Sequence, residues 1–255
     1  MKTTIFSILV ILVIFPAMSF EEQLRKIKIA WEDEPKPPYL YLDKDLNPTG
    51  VIFDIITEIA ARKKISIENT TLPWRRCLYL LKEGKVDIVP NASYNESRTE
   101  FGHFSDLIYK TNLALFYSQE IFENPPKIKS LVDMKKYTFG GIRGFNYSFY
   151  DTKLKIIKRA RSRANLIEML RIKRFDFAIA QREVILAMKK GKEIDLTNIK
   201  FILDPVQKSK NYHILVNRNG SNSKEILDTI NQGIKTITKD GTYKKIFSKY
   251  LPEDE

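Results

Sequence analysis

Short apolar runs typical of strands alternate with amphipathic helical stretches along most of this chain. Residues 27–31 have the composition of a buried strand. The first helical stretch then places its apolar side chains at i, i+3, i+4, i+7 and i+8, which is the spacing of one buried helix face. These side chains are Ile52, Ile55, Ile56, Ile59 and Ala60. Such alternation is typical of proteins in which helices cover a sheet, so the pattern predicts an α/β fold.

The same alternation continues to the C-terminus. Further strands are predicted at residues 65–71, 86–89, 113–117, 137–141, 156–157 and 175–180, and a polar loop at residues 91–99. Further helices are predicted from Trp74 to Gly84, near Tyr147, along Leu166 to Leu170, and in two tail segments separated by Asp240 and Gly241. A chain of 255 residues can divide this pattern between two modest lobes, each with its own core.

The first residues differ from the rest of the chain. Lys2 precedes an apolar run at residues 5–15, and the small residues Ala17 and Ser19 occupy the −3 and −1 positions of a cleavage site. This pattern predicts a signal peptide at residues 1–19 and a periplasmic or secreted mature protein. An uncleaved membrane anchor is the alternative, but the run is short for a bilayer span.

The single cysteine and the positive charge constrain the chemistry only loosely. Cys77 cannot form an internal disulfide, and its helical neighbours favour a small core residue over a reactive thiol. The formal net charge of +12 favours anionic ligands, acidic surfaces or nucleic acid. The segment Lys153 to Arg174 holds nine basic residues and one acid, and it is interpreted as a solvated face. No aromatic residue or recognition motif accompanies it, so no nucleic-acid partner is predicted.

A series of short motifs follows the predicted elements in a fixed order. It comprises Gly50-Val-Ile-Phe-Asp54, Pro73-Trp74, Gly84-Lys-Val-Asp87, Asn91-Ala-Ser93-Tyr-Asn95-Glu-Ser-Arg98, Phe104-Ser-Asp106, Leu131-Val-Asp133, Gly141-Ile-Arg-Gly144, Phe175-Asp176 and Asp240-Gly-Thr-Tyr243. In order and spacing the series resembles the family 3 extracellular solute-binding proteins, the receptors of polar amino acid ABC importers. The resemblance covers nearly the whole mature chain.

The resemblance implies an α/β, two-lobed, type 2 periplasmic-binding-protein-like fold with two interlobe crossings. Lobe 1 would comprise residues 20–110 and 212–255, and lobe 2 residues 111–211. The crossings would lie near residues 110–111 and 210–212. Ligand binding would close the lobes by a hinge motion.

Arg98 is the central candidate for a ligand contact. It follows a turn-rich loop after a strand, and its guanidinium group matches a carboxylate in a bidentate fashion. The resemblance implies that Arg98 binds the ligand carboxylate, with Ser93 and Asn91 adding donors from the same loop. The alternatives are a surface arginine paired with an acid, and ordinary turn chemistry for the other two residues.

The second lobe and several aromatic residues would complete the site. Asn146 follows a glycine-containing loop at a predicted helix start, and the resemblance implies that it contacts the ligand. Trp31, Tyr39 and Trp74 are candidates for a wall against an organic ligand. Core packing is the alternative for each of these three aromatic residues.

Two departures from the resembled family affect the choice of ligand. Where an acid is expected to hold the ligand ammonium, this chain has Gln181, so either Glu183 substitutes or the ligand is not a simple α-amino acid. Arg75 and Arg76, beside the candidate wall, favour extra negative charge on the ligand, with a solvated helix face as the alternative.

The sequence favours a binding protein over an enzyme. The two histidines are far apart, and none of the HExxH, GxSxG and P-loop motifs occurs. We predict a monomer without cofactor or metal that binds a small anionic or zwitterionic ligand and works with an ABC permease. A dehydratase-like enzyme that recruits Glu183 or Asp176 is one alternative, and a ligand sensor partnering a membrane signalling protein is another.

Overall fold

The structure is a computed structural model that describes residues 26–45 and 47–251. The predicted signal peptide at residues 1–19 lies outside the described residues. The helices are α1 (Val51–Lys63), α2 (Trp74–Lys82), α3 (Leu131–Met134), α4 (Arg163–Arg171), α5 (Arg182–Lys190), α6 (Ser223–Lys239) and α7 (Thr242–Tyr250), with a 3-10 turn η1 (Glu96–Arg98). Within this part of the chain, no helix combines the length and apolar character needed to cross a membrane.

Twelve strands accompany these helices in the described residues. They are β1 (Lys26–Glu32), β2 (Tyr41–Leu42), β3 (Pro48–Thr49), β4 (Ser66–Leu72), β5 (Ile88–Ser93), β6 (Gly102–Phe104), β7 (Tyr109–Ser118), β8 (Phe139–Ile142), β9 (Ile156–Ala160), β10 (Phe177–Gln181), β11 (Ile199–Leu203) and β12 (Ser209–Asn217). The predicted α/β fold is therefore confirmed.

Ten of these strands form one continuous sheet that divides into two halves. The order is β4-β1-β5-β12-β7-β10-β8-β9, with β6 added on β12 and β11 added on β7. We call β1, β4, β5 and β6 the first half-sheet, and β8 to β11 the second half-sheet. Parallel pairing runs through β4, β1 and β5 and again through β10, β8 and β9. The antiparallel pair β7 and β12 joins the two half-sheets.

Helices α1 and α6 pack closely over the first half-sheet. The predicted apolar face of α1 is buried along its whole length. Gly233 of α6 allows the close approach, because a Cβ atom there would lie 2.6 Å from a methyl carbon of Ile59. The third helix of this group, α7, is tied to α1 by Lys249 and Tyr250, which donate to the Asp54 carboxylate at 2.8 and 2.9 Å.

The single cysteine belongs to the core of the first half-sheet. Cys77 is buried, and its thiol lies 3.3 Å from the carbonyl oxygens of Trp31 and Leu72. Burial raises the pKa of the Cys77 thiol to about 12. The thiol is therefore protonated and inert near neutral pH.

Two local predictions are wrong. No helix forms near Tyr147, because Gly144 adopts a left-handed backbone with φ of +85° and the Asn146 side chain accepts from the Ser148 amide. Turns follow at residues 148–153, and the Tyr147 hydroxyl accepts from the Ile142 amide. The predicted polar loop at residues 91–99 is also shorter, because residues 91–93 extend β5 by pairing with β12.

The α1–α6 contact gives a stability prediction. We expect Gly233→Ala to lower the free energy of unfolding by about 1–3 kcal/mol, because the added methyl group overpacks against Ile59. The exposed neighbour provides the control, since Gln232→Ala changes stability by less than about 0.5 kcal/mol. Urea denaturation followed by circular dichroism measures both.

The same contact provides a rescue. In an Ile59→Ala background the cost of Gly233→Ala shrinks, because the clashing methyl group is gone. Replacing glycine by alanine at an exposed helix position stabilises a protein by about 1 kcal/mol. A stabilising effect of Gly233→Ala would therefore show that the methyl group meets no clash, and would contradict this account of the packing.

Candidate functional site

A small, partly open cavity lies between the two half-sheets. Its walls come from β1, β5 and β10 at their carboxyl ends, from the loops that follow them and from the joining strand β12. Open α/β sheets bind ligands at such strand ends. The lining residues are Glu32, Lys36, Trp74, Asn91, Ser93, Arg98, Phe145, Asn146, Arg163, Gln181, Lys210 and Tyr212.

Arg98 enters the cavity from the 3-10 turn η1. The side chain of Asn95 caps this turn by accepting from the Ser97 amide at 3.0 Å. One guanidinium nitrogen of Arg98 donates to the Ser93 carbonyl at 2.8 Å, and the group lies 5.1 Å from the centre of the Trp74 ring. Burial lowers the pKa of Arg98 to about 10, which leaves the group cationic at pH 7.

Asn91 has an unusual backbone and an unpaired side-chain amide. Its φ of 60° lies in the left-handed region, which few residues other than glycine adopt. The side-chain oxygen accepts from the Tyr109 hydroxyl at 2.6 Å, while the buried Nδ2 has no hydrogen-bond partner among the described residues. Strained backbone of this kind is concentrated at ligand sites.

Asn146 bridges the two half-sheets on one side of the cavity. Its Nδ2 donates to the Tyr94 carbonyl at 2.7 Å and to the Ser93 hydroxyl at 3.1 Å. Its own carbonyl accepts from the ammonium group of Lys210 on the joining strand. Asn146 therefore contacts both the β5 end and the connection between the half-sheets.

Arg163 forms a second bridge on another side. It is the first residue of α4, and only 1% of its surface is exposed. Its backbone amide donates to the Glu34 carboxylate at 2.8 Å, and its guanidinium group donates to the Pro35 carbonyl at 2.9 Å. The two bridges hold the half-sheets together around the cavity.

Lys36 is a buried cation beside a stack of tyrosines. The rings of Tyr39, Tyr109 and Tyr212 follow one another with centroid separations of 4.1 and 4.9 Å. The Lys36 ammonium lies 3.2 Å from the centroid of Tyr212, a cation–π contact. Burial, with nearby Arg163 as a second cause, lowers the pKa of Lys36 well below its usual value.

Glu32 is the only carboxylate among the lining residues of this cavity. Burial raises its pKa, and the charges of Arg163 and Lys36 act in the opposite direction. Its Oε1 atom is buried and has no hydrogen-bond partner within the described part of the chain. The site therefore offers one acceptor among several cations.

Six of the ten candidates from the sequence line the cavity: Arg98, Ser93, Asn91, Trp74, Asn146 and Gln181. Gln181, the last residue of β10, donates to the Tyr212 hydroxyl at 2.6 Å. The structure therefore brings together residues that are far apart in sequence, from Trp74 in α2 and Asn91 in β5 to Gln181 in β10.

The other four candidates lie outside this lining. Trp31 is in the core, where its indole donates to Asn69, and Tyr39 is buried within the tyrosine stack. The Glu183 carboxylate accepts from the backbone and side-chain amides of Asn112, at distances down to 2.6 Å. Arg76 lies on the exposed side of α2, 5.8 Å from the ring of Tyr79.

Sequence reasoning missed half of the lining residues. Glu32, Lys36, Phe145, Arg163, Lys210 and Tyr212 were not among the candidates. Lys210 and Tyr212 fall in the predicted crossing at residues 210–212, so their position offered a usable signal. Arg163 lies in a run of basic residues that was interpreted as solvated, and nothing in its local sequence separates it from its exposed neighbours.

Comparison with known proteins identifies relatives of the whole described chain. The profile of bacterial extracellular solute-binding proteins, family 3, matches residues 27–253. The L-cystine-binding protein TcyA of Bacillus subtilis (strain 168) is 26% identical over 219 residues, which cover 85% of this chain and 78% of TcyA.

Solved structures share the fold at lower sequence identity. A histidine kinase sensor domain with similarity to periplasmic binding proteins matches with a TM-score of 0.74 and 20% identity, over 90% of this chain and 97% of that one. A structure from work on glutathione import through GshT and the cystine ABC importer TcyBC of Streptococcus mutans matches with a TM-score of 0.73 and 19% identity, over 89% and 95%. The predicted two-lobed fold of periplasmic binding proteins is therefore confirmed.

The half-buried Lys210 predicts how stability depends on pH. Burial and nearby Arg98 lower its pKa in the folded protein to about 7, against 10.5 for an ordinary lysine. Between these values the unfolded chain binds more protons, so the free energy of unfolding of the ligand-free protein rises with pH. Below pH 7 both states are protonated, and Lys210 contributes no slope.

We therefore expect Lys210→Met to flatten the rise in stability between pH 7 and pH 9. Lys36, whose pKa is also lowered, retains its own contribution of the same sign. The exposed Lys110, which faces Asn211 across the same ladder, is the control, and Lys110→Met keeps the parent slope. Urea denaturation at pH 7, 8 and 9 measures the profiles, and equal slopes for the parent and Lys210→Met would contradict the assignment.

Proposed function

The chain belongs to the bacterial extracellular solute-binding proteins of family 3, and from this premise we propose that it binds a small carboxylate ligand, an amino acid or a related anion, for ABC-type uptake. The observation that carries the proposal is the buried guanidinium group of Arg98 at the wall of a cavity between two half-sheets. A buried cation without a carboxylate partner among its described contacts favours an anionic guest.

The carboxylate would be held mainly from the first half-sheet. Arg98 presents a planar donor fork, and the unpaired Nδ2 of Asn91 supplies a further donor. Trp74, already in contact with the guanidinium group, would cover one side of the ligand. Asn146 and Gln181 would complete the shell from the opposite side.

We propose that binding closes two lobes by a hinge motion. Lobe 1 would comprise residues 20–110 and 212–255, and lobe 2 residues 111–211, with β7 and β12 as the crossings. The bridges from Asn146 to Tyr94 and from Arg163 to Glu34 span the cavity and belong to the closed state. A ligand that contacts both lobes binds the closed state more tightly and shifts the equilibrium towards it.

The location and partner follow from the family. We propose a monomer that acts in the periplasm or outside the cell after removal of residues 1–19, and that delivers its ligand to an ABC permease. The relative TcyA is a cystine-binding protein, and the structure from the glutathione study concerns an ABC importer. Both support a small amino-acid-like ligand and a transport partner.

A binding role without turnover fits the relatives, which are binding proteins. The second candidate is a dehydratase-like reaction, and one observation favours it: Glu32 is a carboxyl group in the cavity whose pKa is raised. Asp176 does not line the cavity and accepts from the amide and hydroxyl of Thr138. Recovery of bound ligand unchanged after prolonged incubation, followed by NMR, distinguishes a binder from an enzyme.

Replacement of Arg98 tests the proposed site. In a thermal-shift screen of amino acids and small carboxylates, we expect at least one compound to raise the unfolding midpoint of the parent, because a ligand that binds only the native state stabilises it. Arg98→Ala should remove this shift while the protein stays folded. Arg76→Ala, on the neighbouring helix but outside the cavity lining, should retain it.

Two results would contradict the proposal. The first is a full ligand-induced shift in Arg98→Ala, which would place the ligand elsewhere. The second is the absence of any shift in the parent at millimolar concentrations across the whole screen.

A sensor that partners a membrane signalling protein would show the same ligand binding. Binding to a histidine kinase instead of a permease would distinguish such a sensor from a transport receptor.

A further inference from the structure

The charges in the cavity exceed what one carboxylate would balance. We propose that the cavity is built for a ligand with two carboxylate groups, each held by its own pair of cations from the cavity lining. The inference rests on the proposed function and specifies the ligand class of the same site. It is carried by the charge count, by the grouping of the cations and by the unpaired polar atoms of three lining residues.

With every group ionised, the charge count gives an excess of two positive charges. Four cationic side chains line the cavity: Lys36, Arg98, Arg163 and Lys210. Glu32 is the acid of the lining. Glu34, outside the lining, forms an ion pair with Arg163 in which nitrogen and oxygen are 3.4 Å apart. Four cations and two acids leave 4 − 2 = +2.

Other acids nearby do not change this count. Asp151 acts on Lys210 electrostatically, but its carboxylate is engaged by Lys158 and it is exposed. Glu193 interacts with Arg163 at longer range and is also exposed. Charges in contact with water are screened, whereas cations that line a buried cavity are screened much less.

The four cations form two pairs. Arg98 is the cation that acts most strongly on Lys210, and both lie on the side of the cavity where Asn146 bridges to β5. Arg163 is the cation that acts most strongly on Lys36, ahead of Lys210, and Lys36 directly follows residues 34–35, which Arg163 contacts. Two separate positive centres match a ligand with two separate anionic groups.

Each pair has an unpaired donor beside it. Asn91 is 5% exposed and lies two residues from Ser93, the carbonyl acceptor of Arg98, and its Nδ2 has no partner among the described residues. Arg163 is 1% exposed, and its Nε is likewise unpaired within residues 26–45 and 47–251. Buried donors without partners are costly, and a carboxylate at each would satisfy them.

Glu32 adds a constraint on the part of the ligand between the two carboxylates. Its buried Oε1 is an unpaired acceptor, and both Lys36 and Arg163 act on its charge. A hydroxyl or ammonium group on the ligand would donate to it. The lining therefore favours a dicarboxylate, and a donor substituent between the carboxylates would add a further hydrogen bond.

Matched acids and monoamides test the inference by calorimetry. The probes are succinate, glutarate and adipate, each compared with the monoamide that replaces one carboxylate by a neutral group of the same shape. We expect at least one diacid to bind the parent about tenfold or more tightly than its monoamide, because the amide leaves one cation pair unbalanced.

Lys36→Met then tests the second cation pair. We expect it to remove most of the preference for the diacid over its monoamide, since only the Arg98 pair then remains to balance a carboxylate. Lys110→Met removes the same charge from an exposed position and should retain the full preference. Inorganic phosphate, a compact dianion, should bind more weakly than the best diacid.

Proton uptake supplies a readout that a purely structural role of these lysines would not change. The pKa of Lys36 and that of Lys210 are lowered in the ligand-free protein. An anion that raises these pKa values on binding causes the protein to take up protons near pH 8. Calorimetry in two buffers of different ionisation heat measures this uptake. The uptake should be larger for the diacid than for the monoamide and smaller in Lys36→Met.

The outcomes separate this inference from the proposed function. If the parent binds diacids and their monoamides equally at all three lengths, or binds phosphate more tightly than any diacid, the two-carboxylate inference is wrong and the carboxylate site at Arg98 stands. If no carboxylate binds the parent, the proposed function itself is wrong. The comparison of probes on the parent needs no variant, so a Lys36→Met protein that failed to fold would leave the test intact.

Discussion

The antiparallel ladder between β7 and β12 determines most of what surrounds the cavity. It joins the two half-sheets by pairing residues 109–112 with residues 209–212 in a fixed register. The same register places Tyr212 against Tyr109 and directs Lys210 towards Asn146. A shift by one residue would turn every side chain of β12 to the other face, so the ladder fixes which groups line the cavity.

The second constraint is electrostatic. Buried cations are unfavourable unless a partner balances them, and this protein concentrates three buried cations and the half-buried Lys210 around one small cavity. Part of the cost is offset within the protein by the ring of Tyr212 under Lys36 and by Glu34 beside Arg163. The remainder is available to stabilise a bound anion. In the proposed function, ligand binding and lobe closure would thus depend on the same groups.

Much of the fold could be predicted because its signals are local. The spacing of Ile52, Ile55 and Ile59 defines a helix face whatever packs on it, and α1 buries that face. The predicted helix near Tyr147 is wrong because the chain forms turns there, set by the left-handed backbone of Gly144 and by a side-chain contact of Asn146. The spacing of apolar residues carries no information about either feature. Candidate site residues carried by the ordered motifs, such as Arg98 and Asn146, line one cavity, whereas the aromatic candidate Trp31 belongs to the core.

The sequence by itself determined the α/β class, the family resemblance and the loop that carries Arg98, because periodicity and ordered motifs are properties of neighbouring residues. Only the tertiary structure decided which charges face one another. Glu32, Lys36 and Arg163 look like ordinary surface residues in the sequence, and they become a cavity wall because distant segments meet there. Burial then changes their chemistry, since the cost of a charge depends on the solvent and the partners that the whole fold leaves around it.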